Sequence, residues 1–288
     1  MKQRDVTIAA TDGFELAALH LEPETDLRGV IQFHSGTGVK KEFYLKFAKY
    51  MAERGFAVIL FDYRGIGGSR PKSLRGFEAQ LRHWGERDMV GVLEWIKTSY
   101  PQLPKFIVAH SMGGQLIGLM KNHDVLRGVV TIAASTGYWR TFPRPYRYLP
   151  AFIWYVYIPI VSRIFGFVPA KRLQLGEDLP TGVAREWADW CTNRNYLRSF
   201  FGVTIEEQFF ADIRAPVKAF YAEDDTIATE RTVPEILEYF ENAQVSSEKI
   251  RLSDVSAKAI GHFGFFSRKF GRQLWPKPID WIETQLAE

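Results

Sequence analysis

Four short, almost uninterrupted apolar runs, at 29–33, 57–61, 106–109 and 129–133, recur through the first 134 residues, with helical stretches between them. Between the first two runs, Phe43, Phe47, Tyr50 and Met51 repeat at helical spacing and Gly55 closes the turn. A second helix is expected from about 86 to 99. A strand that is apolar on every residue has no face to give to water. Alternating such strands with helices therefore predicts a mostly parallel sheet with helices on both faces. The beginning of the chain differs, since 6–10 and 15–21 flank a Thr11-Asp12-Gly13 turn and predict a hairpin.

The alternation stops near Thr136 and resumes with the strand-like run at 217–222. A helix near 234–242, a strand near 248–252 and a helix near 277–286 follow. The stretch between is rich in aromatics, including Trp139, Trp154, Trp187 and Trp190. The expected organisation is a core of 1–135 plus 204–288, interrupted by a helical cap at 136–203. With 46% hydrophobic and 24% charged residues, 288 residues suffice for a large core without staples or metal. The net charge of +4, with no basic stripe interleaved with aromatics, gives no reason to expect a nucleic-acid partner. Cys191 is the single cysteine, so no internal disulfide can form. The first residues alternate polar and apolar rather than forming an apolar leader, and the expected location is cytoplasmic.

The third apolar run leads directly into Ala109-His110-Ser111-Met112-Gly113-Gly114. A serine on a sharp strand-to-helix turn is held in a strained backbone conformation, and side chains two residues to either side would collide. Small residues at 109, 113 and 114 meet that demand. A serine capping an ordinary turn is the plain alternative.

Three motifs in order carry a resemblance. Phe106-Ile-Val-Ala-His-Ser-Met-Gly-Gly114 resembles the nucleophile elbow of α/β-hydrolases. Phe61-Asp-Tyr-Arg-Gly-Ile-Gly-Gly-Ser69 is similar to their D-x-R-G-x-G-x-S loop, and His34-Ser-Gly-Thr-Gly38 to their H-G-x-G oxyanion loop. The resemblance covers about 6–134 and 215–286. The whole chain resembles bacterial hydrolases related to serine aminopeptidases and monoglyceride lipases. It implies an α/β-hydrolase fold with an inserted helical lid.

The resemblance also implies site residues. The family order is nucleophile, acid, base. Of the six histidines only His262 follows Ser111 and a candidate acid, and its flanking Gly261 and Gly264 suit a loop that aims an imidazole. Ala222-Glu223-Asp224-Asp225 matches the family's G-x-x-D with alanine first, which selects Asp225 and leaves Asp224 as the alternative, expected to cap its own turn. His110 is not expected to act as base, and His34 is expected to be structural. The oxyanion hole would use the backbone N–H groups of Met112 and Gly36, with Thr37 as the alternative, because Ser35 replaces the usual glycine. No cofactor and no metal is implied.

The cap carries Arg140, Arg144, Arg147, Arg163, Lys171 and Arg172, and no acid from 139 to 172. Residues 149–168 approach the length of a bilayer span, but Pro150, Pro159, Arg163 and Gly166 interrupt them, favouring a packed or interfacial helical hairpin. Aromatics packing cap on core, with arginines toward solvent, is the favoured reading over contact with an anionic membrane. The expected partner is a small acyl substrate, and the expected reaction is ester hydrolysis through an acyl-enzyme. An aminopeptidase or amidase is the alternative, with Glu177, Asp178, Glu186 or Asp189 holding a substrate amine. Acyl transfer and a non-catalytic binding protein of the same fold remain open.

Overall fold

The computed structural model describes residues 1–287. Its central sheet is built from β1 (Lys2–Ala9), β2 (Glu15–Glu22), β3 (Gly29–His34), β4 (Phe56–Phe61), β5 (Lys105–His110) and β6 (Leu126–Ile132). A two-stranded ribbon, β7 (Phe167–Val168) with β8 (Leu179–Pro180), lies in the insert, and β9 (Val217–Ala222) and β10 (Val245–Ile250) complete the main sheet. The order across the eight strands is β1-β2-β4-β3-β5-β6-β9-β10. The predicted hairpin β1–β2 pairs antiparallel and joins β4 antiparallel, while β4, β3, β5, β6, β9 and β10 run parallel.

Every residue of β3, β4 and β5 is buried, as continuous apolar runs require. The edge strand β10 behaves differently. Its Glu248 and Lys249 face outward and only Ile250 is buried, so charge protects an edge that would otherwise offer itself for pairing. The strand also starts three residues earlier than the apolar pattern suggested, because that pattern marks only the buried end.

The helix after β3 begins as a 3-10 turn, Lys41–Tyr44, and continues as an α-helix, Leu45–Ala52. Its inner face is Tyr44, Phe47, Ala48, Met51 and Ala52, whereas Phe43 is exposed. The tighter 3-10 winding shifts the register of its first turn, which the sequence pattern could not anticipate. The helix expected at 234–242 is shorter, Thr232–Leu237.

Between β6 and β9 the insert is helical, but 149–168 is not a hairpin. One rod runs from Tyr148 to Phe165, with a π turn at Ile153–Tyr157 just before Pro159. A proline removes its own N–H and crowds the carbonyl four residues back, and a widened turn absorbs both. Gly166 then ends the rod in a left-handed conformation. A separate helix, Thr181–Thr192, packs against this rod, with Arg185 Nε donating to Ser162 Oγ at 3.1 Å and Trp187 meeting Trp154.

Candidate active site

Ser111 sits between β5 and a short helix, Met112–Gln115, at φ 50° and ψ −119°. This is a region that non-glycine residues rarely occupy, and the surrounding structure must hold it there. Ser111 N–H donates to Ile132 O at 2.9 Å, tying the turn to β6. A Cβ on Gly113 would come within 2.7 Å of His34, and one on Gly114 within 2.6 Å of Ala134. The glycines are thus demanded by close approach of the flanking loops. The helix has only four residues, so stabilisation of charge near Ser111 falls to local N–H groups rather than to a long helix dipole.

The structure brings Ser111, His262 and Asp225 together. His262 Nδ1–H donates to Asp225 Oδ2 at 2.8 Å, leaving Nε2 to accept the Ser111 hydroxyl at 2.9 Å. Asp225 is itself fixed, its Oδ1 accepting N–H bonds from Ile227 at 2.8 Å and Ala228 at 3.0 Å. Asp224 does not cap its own turn. Its two oxygens cross to the other loop and accept the N–H groups of Ile260 and Gly261, each at 2.9 Å. Adjacent carboxylates point apart, and both serve His262, one through the ring and one through the backbone behind it.

The oxyanion expectation is corrected at Gly36. Its N–H donates to Tyr44 Oη at 2.9 Å and is turned away from an incoming oxygen. Tyr44 in turn donates to His110 Nδ1 at 2.7 Å, and His110 Nε2–H donates to the His262 carbonyl at 3.1 Å. This buried chain links the loop after β3, the serine turn and the histidine loop. Burial pushes the His110 pKa well below its ordinary value, so the ring stays neutral and keeps the tautomer the chain requires. Glycine at 36 is obligatory, since a Cβ there would meet His110 Nδ1 at 2.8 Å. In the two loops, the Met112 and Thr37 N–H groups have no protein partner among the described residues. Tyr44 was invisible as a site residue in the sequence, where an aromatic on a helix reads as core.

The D-x-R-G-x-G-x-S loop is structural. Asp62 binds Lys41 Nζ at 2.7 Å and the Gly68 N–H at 2.8 Å, while Arg64 is gripped by Asp12 and Asp88. His34 is likewise structural, its Nδ1–H donating to Gly113 O at 3.3 Å. Burial lowers its pKa to about 3.

The insert reaches this rim. Glu177 N–H donates to Gly38 O at 2.8 Å, and the half-buried Tyr146 phenol, its pKa raised by burial, stands beside Thr226 and the Asp225 charge. Three of the insert's four acids are held in ion pairs. Glu177 pairs with Lys171 at 2.8 Å, Asp178 with Arg70 at 3.3 Å, and Glu186 with Arg82, while Asp189 faces Arg185. Trp190 is fully buried and Cys191 lies in the packed interior. A cavity of about 900 Å³ opens between Phe77–Arg82 and Arg185–Asp189, and Ser111 does not line it. Among the described residues, no group of three or more His, Cys, Asp or Glu side chains is placed to hold a metal ion.

The chain is similar to several known proteins in part of its sequence and in its fold. The family described as serine aminopeptidase, S33, matches residues 25–165. The lysophosphatidylserine lipases of Rattus norvegicus and Mus musculus are 27% identical over 157 residues, a stretch covering 50% of this chain but only 37% of those relatives. A soluble variant of monoglyceride lipase from Saccharomyces cerevisiae superposes with a TM-score of 0.72 at 14% identity, covering 99% of this chain and 95% of that one. A carboxyl esterase from Bacillus coagulans gives 0.63 at 17% identity, with 99% of each chain covered. At such identities the likeness concerns the fold.

Proposed function

We propose that this chain, an enzyme of the α/β-hydrolase superfamily, is a serine hydrolase that cleaves a carboxylic ester of small or medium hydrophobic acyl length. The observation that carries the reading is the continuous hydrogen-bond chain from Asp225 through His262 to Ser111. In it, Ser111 Oγ attacks the ester carbonyl while its proton passes to His262 Nε2. The negative charge on the carbonyl oxygen is met by the Met112 N–H and, in place of Gly36, by the Thr37 N–H. Such donors contribute about 3–4 kcal/mol each to barrier lowering. As the tetrahedral intermediate collapses, the His262 proton goes to the departing alcohol and an acyl-Ser111 remains. Water then gives its proton to His262 and attacks the acyl carbonyl, releasing the acid and restoring Ser111. Asp225 holds the imidazole in the required tautomer throughout. Residues 136–203 act as a lid over the rim, a role supported by the Glu177–Gly38 contact and the position of Tyr146.

The matched family's description favours one second reading, an aminopeptidase on the same machinery. A free amine needs an uncommitted carboxylate, and of the insert's candidates Glu177, Asp178 and Glu186 are paired with a lysine or arginine, leaving Asp189, which lines the cavity that Ser111 does not line. The ester reading is therefore preferred. Ser111→Ala should abolish turnover of p-nitrophenyl esters without altering the fold, and full retention of rate would refute the assignment. Assaying acyl chains from acetate to palmitate beside aminoacyl-p-nitroanilides separates the two readings: faster hydrolysis of the anilides would favour the aminopeptidase.

A further inference from the structure

The rod Tyr148–Phe165 has two faces of different character. Trp154, Ile158 and Ser162, spaced four apart, are buried against the molecule, with Trp154 meeting Phe142 and Trp187 edge-on or tilted. The opposite face is apolar and open. Phe152 and Tyr155 are each 55% exposed and Ile164 is 62% exposed, and Leu149 and Ile160 lie beside them. Soluble surfaces scatter single apolar side chains, whereas a continuous strip along one helix marks a contact surface. Leu173 and Leu175, just beyond the rod, extend the exposed apolar area.

The charges around the strip say what it meets. Arg140, Arg144, Arg163 and Arg172 are exposed, and among the described residues none of them pairs with a carboxylate. Elsewhere Arg64 and Arg82 are fully engaged by acids. No acid occurs from 139 to 172. An apolar helix face with a one-signed cationic margin is complementary to a surface that is oily just beneath a layer of negative charge.

We propose that this face docks the protein, helix lying in plane, on an anionic phospholipid bilayer. By length and composition the rod is also able to cross a membrane. Crossing would strip Trp154, Ile158 and Ser162 from their packing, break the Arg75 bond to Phe165 O, and carry Arg163 into hydrocarbon. A second copy of the chain is the other conceivable occupant. A two-fold contact through this strip would set the same unpaired arginines against themselves, which opposes it. The proposal does not depend on the ester reading, because an inactive chain carries the same face.

The test is co-sedimentation of the full chain, and of its Ser111→Ala form, with vesicles of phosphatidylcholine alone or mixed with phosphatidylglycerol at roughly seven to three. Both chains should bind the anionic vesicles at least about tenfold more tightly, with affinity falling as salt rises. Reversing Arg144, Arg163 and Arg172 to Glu should weaken binding by about a hundredfold or more, since each basic residue near such a surface is worth about fivefold. Substituting Phe152, Ile160 and Ile164 by Ser should remove binding as well, with circular dichroism and melting temperature unchanged. The proposal is overturned if the wild type binds neither vesicle, binds both equally, or is insensitive to both sets of substitutions. It is also overturned if sedimentation velocity shows a dimer that depends on the same residues while vesicles are ignored.

Discussion

Strands β3 to β5 and the rod Tyr148–Phe165 are written in much the same apolar alphabet, yet they end on opposite sides of the solvent boundary. Val30, Ile31, Phe33, Val58, Phe61 and Phe106 are wholly inaccessible, while Phe152, Ile160 and Ile164 stand in the open. The difference lies in what each must satisfy. A strand shares its backbone bonds with neighbours and so is drawn into a sheet that helices then cover. A helix satisfies its own backbone and can leave an apolar face unpartnered. Charged groups divide the same way: Asp225 and Asp224 at the sheet's rim are tied to the histidine loop, and the arginines beside the rod have no carboxylate partner among the described residues.

The largest effect that would sharpen this contrast is on the rim. Asp225→Asn should lower kcat on p-nitrophenyl esters by roughly 10⁴-fold, because the imidazole loses the partner that fixes its tautomer. Asp224→Asn should cost less, and a larger loss at 224 would reverse their roles. In the core, Phe106→Ala should destabilise by about 3–5 kcal/mol in denaturant titration, whereas Phe152→Ala should stay within about 0.5 kcal/mol. Equal losses would erase the distinction between the two regions.

Acid provides a third probe. His34 is buried neutral with its pKa lowered to about 3, and His110 is shifted in the same direction, both by burial. The unfolded chain, with histidine near 6.5, then binds more protons than the folded one between those values. The His34 contribution to stability is therefore fully present above about pH 6.5 and is lost as pH falls toward 3, at up to about 1.4 kcal/mol per pH unit, and His110 acts in the same direction. A wild-type denaturation midpoint that falls no more steeply over this window than that of His110→Gln would contradict the buried, neutral assignment. The smallest effect expected on the rim is Tyr44→Phe. It removes the hydroxyl between Gly36 and His110 and should cost about 1–3 kcal/mol in stability.

The fold was legible because continuous apolar strands have no face to give to water and call for a sheet covered on both sides. Ser111, Asp225 and His262, which the structure brings within hydrogen-bond reach of one another, could be named because the resemblance to α/β-hydrolases supplies the order nucleophile, acid, base. Gly36 was misread as a donor, since only the folded chain brings Tyr44, eight residues along, onto its N–H. Asp224 was misread for a related reason. Its partners, Ile260 and Gly261, lie on a loop that sequence spacing does not bring near. The hairpin expected at 149–168 failed on Pro159, which a π turn accommodates without breaking the rod. Apolar spacing likewise gave no sign that the rod would keep one face outward.

The central claim is that Ser111 is a nucleophile activated by His262. Incubation with an organophosphonate followed by peptide mass spectrometry tests it directly. The adduct should appear on Ser111 in the wild type and be strongly reduced in His262→Ala. Labelling that is absent from Ser111, or undiminished when the imidazole is removed, would contradict the account.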